Sequence, residues 1–331
     1  MMTALAEAGL LPLADRPYED TLALKAGWVK EAFSRRGLQA DVRPTVPSPR
    51  IAGARARVKV RADDAGRLGF FRPGTHEFVH VPLAGLVRPE VAAEAARLEA
   101  LGTARGEFEL RSDGERVVVV AEAPVMGARD IAIRGRSVRG DATLRIDGLR
   151  VSPGSFYQVN LELNRALAAT VDARIAGAAP AGLLDLYGGI GNFSVGAARR
   201  GTAVVLVESS PDAASDARHN LGAGATVIKG DAGRVRAGEH LADVVILDPP
   251  RAGAPGVLAT LALVRPRVIV YVSCDPVSLA RDVASIEGYD LAHVEPWDMF
   301  PFAEHVETLV VLERGAAPGV DARGRLKHRR L

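Results

Sequence analysis

From about Asn160 onward, short apolar runs recur with helix-compatible segments between them, and this alternation constrains the fold more than any other feature of the chain. The runs are Leu183–Leu186, Val204–Val207, Thr226–Ile228, Val244–Leu247 and Val268–Val272. They are too short for buried helices and are apolar on both faces. Strands of that kind must be covered on both sides, so the pattern predicts a mostly parallel α/β sheet with helices above and below it. The stretch from Asn160 to Ile175 suits the helix that leads into the sheet.

The preceding part has a different texture. Between residues 51 and 150 the sequence predicts a smaller, β-rich unit. Ala56, Val58, Val60 and Ala62 alternate with Arg55, Arg57, Lys59 and Arg61, which puts small apolar groups on one face of a strand and four cations on the other. Further strands are expected at Val117–Val120, Ile131–Ile133 and Leu144–Ile146, with turns at Asp113-Gly114 and Asp147-Gly148 and a helix from Pro89 to Leu101. Nearer the N-terminus, Leu22, Val29, Ala32 and Phe33 predict an amphipathic helix over residues 18–37, stopped by Gly37. Pro44, Pro47 and Pro49 then read as a linker. The expected division is an N-terminal helical segment and linker (1–49), a β-rich central domain (50–150), the α/β domain (151–315) and a basic, disordered tail (316–331).

Length and composition exclude several classes. Of 331 residues, 48% are hydrophobic and 25% charged, which suits a globular chain of about two domains. Apolar runs such as Val117–Ala121 fall far short of a membrane span. The N-terminus lacks the pattern of a secretory signal, and one cysteine permits neither an internal disulfide nor a cysteine-ligated cluster. A cytoplasmic monomer without membrane association is expected. The net charge of +2 is small, but Arg50, Arg55, Arg57, Lys59, Arg61, Arg67 and Arg72 cluster in the β-rich unit, and the tail adds more cations.

The chemistry-bearing residues lie where predicted strands end. The run Leu184-Asp185-Leu186-Tyr187-Gly188-Gly189-Ile190-Gly191-Asn192 takes a strand through a glycine loop into a helix. Gly189 and Gly191 let the backbone approach a ligand. Glu208 ends the next strand, where a carboxylate can accept hydrogen bonds from ribose hydroxyls. A dinucleotide fingerprint fits less well, because its third glycine would fall at Ser194. Asp248-Pro249-Pro250-Arg251 follows another strand directly, so Asp248 and Arg251 face the same edge, and an arginine there can stack on a base or hold a phosphate. Cys274 follows a third strand in a tight turn. A lone cysteine is usually an inert core residue, but this position makes it a candidate nucleophile. Glu307 opens a final apolar strand, Leu309–Leu312, and Gln158 sits among aromatics before the helix at Asn160.

Taken together, the strings SFYQVN, DLYGGIGNF, DPPRAG, SCDPVSLARD and HVET resemble the RNA 5-methyluridine methyltransferase family, in the family's order and over about residues 50–314. The resemblance implies a Rossmann-like class I methyltransferase domain with S-adenosyl-L-methionine as cofactor. It implies that Gln158, Tyr187, Asn192, Glu208 and Asp248 contact or border the cofactor, with Asp231 near its adenine. Cys274 would be the nucleophile and Glu307 the base that removes the C5 proton. RNA, ribosomal or transfer, would be the partner, held by Arg55, Arg57, Lys59, Arg61 and Arg251. The chain departs from many members in lacking a TRAM domain and the cysteines of an iron–sulfur cluster, so neither a cluster nor a metal is expected. An inactive or repurposed RNA-binding homologue is the alternative. A cytosine-5 methyltransferase fits worse, since its cysteine would occupy the loop that here reads Asp248-Pro249-Pro250-Arg251. Purified protein should therefore be colourless, and metal analysis should find iron far below one atom per chain.

Overall fold

Strands β10 (Gly182–Leu186), β11 (Ala203–Glu208), β12 (Ala225–Lys229), β13 (Val244–Leu247) and β14 (Val268–Ser273) pair in parallel, as the apolar runs predict. The computed structural model describes residues 5–6, 8–72, 74–235 and 242–315. The expected disordered tail, 316–331, lies outside them. Two antiparallel strands complete the sheet, β15 (Tyr289–Trp297) and β16 (Glu307–Arg314), in the order β12-β11-β10-β13-β14-β16-β15. Strand parity assigns each side chain to a face. Leu184, Leu186, Val245, Leu247, Ile269 and Tyr271 face one core with Val29 and Phe33 of helix α1 (Tyr18–Ser34). Leu183, Val244, Ile246, Val270 and Val272 face the other, under Leu163, Leu167 and Val171 of a later helix (Leu161–Ala178). The strand order reverses between β10 and β13, and ligands of such sheets bind beyond the carboxyl ends at that point.

The central unit is a second seven-stranded sheet, ordered β3-β2-β1-β4-β5-β6-β7. It comprises β1 (Arg57–Ala62), β2 (Leu68–Phe71), β3 (Phe78–His80), β4 (Gly106–Ser112), β5 (Val117–Ala121), β6 (Ile131–Ile133) and β7 (Arg136–Arg139). The alternation read at β1 holds: Ala56, Val58, Val60 and Ala62 are all buried. Helix α2 (Pro89–Leu101) packs Val91, Ala95 and Leu98 on that face and ends at Gly102, whose φ of +63° needs no Cβ. A small hairpin, β8 (Leu144–Ile146) and β9 (Leu149–Val151), turns at Asp147-Gly148, both at positive φ. Asn160 caps the 161–178 helix, its side chain accepting from the Leu163 N–H at 3.2 Å.

Two readings are corrected at the N-terminal end. Helix α1 stops at Ser34 rather than 37, and Gly37 at φ +71° instead lets the Leu38 N–H return to the Phe33 carbonyl. The proline-rich stretch is also more than a tether. Arg43 and Val46 N–H donate to the Val294 and Pro296 carbonyls, and Asp298 N–H donates to the Val46 carbonyl, so the stretch covers the exposed edge of β15. Beneath it, the Lys25 ammonium meets Asp298 at 2.5 Å and the Phe300 carbonyl at 2.8 Å, with both charged side chains fully buried. Tyr18 Oη donates to the other Asp298 oxygen at 2.6 Å. Replacing Lys25 with Ala strands a buried carboxylate and should cost about 3–5 kcal/mol. Lys25→Met with Asp298→Leu should recover much of that, both changes read by urea denaturation.

Candidate active site

The glycine loop after β10 is shaped by backbone demands. Tyr187, Gly189 and Gly191 all take positive φ, and a Cβ at Gly188 would lie 2.5 Å from Leu206 and 2.9 Å from the Asp185 carboxyl carbon. Glu208 holds the loop, its two carboxylate oxygens accepting from Gly189 N–H at 3.0 Å and Ser210 N–H at 2.6 Å. Asn192 exchanges amide hydrogen bonds with Asn164 at 3.0 and 3.1 Å, so its side chain ties the loop to the 161–178 helix. Asp231 follows β12, exposed, and caps a short turn through the Gly233 N–H. Gln158 is buried in a segment pinned by its neighbours: Tyr157 Oη accepts from Ser112 N–H, and Asn160 donates to Ser48 Oγ.

Acids converge beside this loop. Asp185 is 1% exposed, with the Ser194 hydroxyl as the neighbour that favours its charged form. Burial and the charge of Glu208 push its carboxyl up to about 7. Burial, Asp185 and Glu208 push Asp248, at the end of β13, up to about 7 as well. Buried acids pushed toward their neutral forms beside a loop with three glycines are what a cationic, nucleoside-bearing cofactor would complete, and the sulfonium of S-adenosylmethionine fits that description. No group of His, Cys, Asp or Glu among the described residues is placed to hold a metal ion.

The second half of the site arises from strand register. β14 and β16 pair antiparallel with Ser273 opposite Thr308, so the residue after β14, Cys274, lies across from the residue that opens β16, Glu307. Asp275 caps helix α7 (Pro276–Ala284) by accepting from the Val277 N–H at 3.0 Å, which fixes the turn that presents the thiol. Cys274 is half-buried, and burial together with the charges of Glu307 and Asp248 pushes its thiol up to about 11. Glu307 is 2% exposed, and burial and Asp248 hold its carboxyl well above the usual range. Arg251 opposes both shifts, by its charge and by a hydrogen bond to Cys274. Its guanidinium rests on the His305 ring, 3.3 and 3.5 Å from the two nitrogens. His305 in turn meets Phe300 edge-on, and burial and the charges of Arg251, Arg55 and Lys25 lower its pKa.

The cation stripe of β1 begins beside this site but is partly neutralised. Arg55 lies over Phe300 at 5.8 Å. Arg57 meets Glu109 at 3.3 Å and stacks on Phe156 at 4.3 Å, Lys59 meets Glu107 at 2.5 Å, and Arg61 covers Phe71 at 4.7 Å. The acids come from β4, the cross-strand neighbour, which the alternation of a single strand does not reveal.

Comparison with known proteins fixes the family. A family model described as tRNA (Uracil-5-)-methyltransferase matches residues 233–315. The 23S rRNA (uracil(1939)-C(5))-methyltransferase RlmD of Pseudomonas putida is 31% identical, over 90% of this chain and 76% of its own length. The chain belongs to the RNA uracil-C5 methyltransferase family. A Shewanella member of it, also RlmD, is 40% identical, but over 50% of this chain and 39% of its own length. Among solved structures, the Pyrococcus abyssi tRNA (uracil-54, C5)-methyltransferase in complex with S-adenosyl-L-homocysteine shares 26% identity and a TM-score of 0.74, covering 91% of this chain and 84% of that one. The class I S-adenosylmethionine-dependent fold expected from the motifs is thereby established.

Within this family framework, residues that sequence reading passed over carry much of the site's geometry. Asp282, the last residue of the SCDPVSLARD string, accepts from Ala254 N–H and Tyr271 Oη, both at 2.7 Å, and so clamps the Asp248–Arg251 loop. A Cβ at Gly253 would lie 2.3 Å from it. Asp185 and His305 lay inside quoted motifs without an assigned role. The signal for Asp185 was a carboxylate in an otherwise apolar strand. Because the chain has one cysteine, alkylation reports the thiol directly. Iodoacetamide labelling of Cys274 should rise about tenfold per pH unit from pH 7 toward 10. Arg251→Ala should slow it at every pH in that range, because the positive charge that favours the thiolate is gone.

Proposed function

We propose that this protein methylates carbon 5 of a uridine in RNA through a covalent bond between Cys274 and carbon 6 of the base. The observation that carries the reading is the convergence of Cys274, Glu307 and Arg251 at one end of the β14–β16 pair, beside the acids of the glycine loop. The named relatives act on 23S rRNA and tRNA, which supports an RNA substrate. Residues 50–150 would grip the RNA backbone through Arg55, Arg57, Lys59 and Arg61, and residues 151–315 would carry the chemistry. The glycine loop with Glu208, Asp231 and Asp248 would hold the cofactor, with Gln158, Tyr187 and Asn192 at its border.

Uracil carbon 5 is a weak nucleophile, and the residues of the site answer that. Arg251 favours the thiolate of Cys274, whose sulfur adds to C6 and shifts the C5–C6 electron pair into an enolate. Bound S-adenosylmethionine supplies the electrophilic methyl group that C5 takes up. Glu307 then removes the C5 proton, the pair returns to form C5=C6, and the C6–S bond breaks to free Cys274 as a thiolate. For that step Glu307 must be ionised. Asp248 helps keep the proton on it, and the positive charge of Arg251 opposes that by favouring the carboxylate that takes up the C5 proton. The target base must leave the stack to reach Cys274.

The test uses RNA bearing 5-fluorouridine, where fluorine cannot leave as a proton. Wild-type protein with S-adenosylmethionine should form a denaturant-resistant adduct, and Cys274→Ala none. Glu307→Gln should slow turnover about 10²–10⁴-fold and accumulate adduct on ordinary RNA. Cofactor binding without adduct on any cellular RNA would favour the non-catalytic alternative. Mapping 5-methyluridine in ribosomal and transfer RNA with and without the protein identifies the target.

A further inference from the structure

We propose that helix α1 is part of the substrate site and receives, against Trp28 and Arg36, the nucleotide next to the uridine held at Cys274. The inference rests on the uracil-C5 reading and extends it. A cavity of about 630 Å³ is lined by Cys274, Arg251 and His305, and it continues past them, over Pro276 and Val277 at the start of α7, to Trp28 on α1 and Arg36 in the turn that follows it. A single pyrimidine bonded to the sulfur fills the Arg251 end. Its phosphodiester links leave the neighbouring nucleotides within one backbone repeat, and the α1 wall bounds the remaining space.

The chemistry of that wall suits a stacked base and one phosphate. Trp28 packs against both the central and the α/β cores, so its indole is held in place while part of it faces the cavity. Val277 is 60% exposed and offers an apolar surface nearby. Aromatic stacking accepts any base, which fits a position beside the target rather than the target itself. Arg35 is already paired with Glu31 at 2.5 Å, and the Asp275 carboxylate is committed to capping α7. Arg36 is exposed and has no acidic partner among the described residues. The arginines lining the cavity are balanced by Glu31, Asp275 and Glu304, so long-range attraction is weak and short-range contact must carry the binding.

The experiment compares 5-fluorouridine oligonucleotides of one, three and five nucleotides in the presence of S-adenosylmethionine, reading dissociation constant and adduct yield. With wild-type protein, extension from one to three nucleotides should tighten binding about tenfold. Trp28→Ala should lose most of that gain and Trp28→Phe should keep it. Arg36→Glu, on an exposed residue that leaves the cores untouched, should also lose it and lower the salt slope of log K by about 0.7. Calorimetric affinity for S-adenosylmethionine should stay at the wild-type value in each variant, reporting an intact fold. A length gain equal to wild type in both Trp28→Ala and Arg36→Glu overturns the proposal. A wild-type protein that forms no adduct at any length brings down the uracil-C5 reading, and this one with it.

Discussion

The site depends on one cation placed among groups that resist ionisation. Cys274 and Glu307 are both pushed toward their neutral forms by burial and by nearby carboxylates, and Arg251 is the residue that favours the charged form of each. That placement comes from a chain of contacts. Asp282 of α7 holds the Asp248–Arg251 loop through Ala254, Tyr271 of β14 donates to the same carboxylate, and His305 supports the guanidinium from the other side. Thiol, carboxyl and cation are thus fixed by three neighbouring strands of one sheet, and their relative positions change little unless the sheet itself does.

A second set of acids gives the site its polarity. Asp185, Glu208 and Asp248 surround the glycine loop, and burial with mutual repulsion pushes Asp185 and Asp248 toward their neutral forms. Such an arrangement disfavours an empty, charged pocket and favours one completed by a positive ligand. Because Asp248 also acts on Glu307, the acids of the glycine loop and the Cys274–Glu307 end of the site are electrostatically linked. The N-terminal segment belongs to the same structure. Lys25 and Asp298 lock α1 to the stretch that precedes His305 and Glu307, and the proline-rich strand seals the edge of β15.

Much of this could be read from residues in order. The apolar runs at 183–186, 204–207, 244–247 and 268–272 are strands, the Asp147-Gly148 pair is a hairpin turn, and Pro89–Leu101 is a helix. Strand β15 escaped notice because Tyr289–Trp297 mixes acids, a histidine and a proline, which an edge strand tolerates and a central one does not. The cations at 55, 57, 59 and 61 were legible, but the pairing of Arg57 and Lys59 with Glu109 and Glu107 was not, since those acids arrive from a strand about fifty residues on. That the chain builds two separate sheets was visible as a change of period. The docking of residues 40–48 on the far sheet was not.

By itself the sequence determined the parallel sheet, the loops at its carboxyl edge and the candidate groups that those loops carry, because hydrophobic period, glycine position and functional-group chemistry are local properties. Only the tertiary structure decided that Cys274 stands across from Glu307, that Asp185 is buried among the charges of Glu208 and Asp248, and that Trp28 shares a cavity with the thiol. Those facts follow from strand register, burial and helix docking, which join residues tens to hundreds of positions apart and leave no periodic mark on the chain.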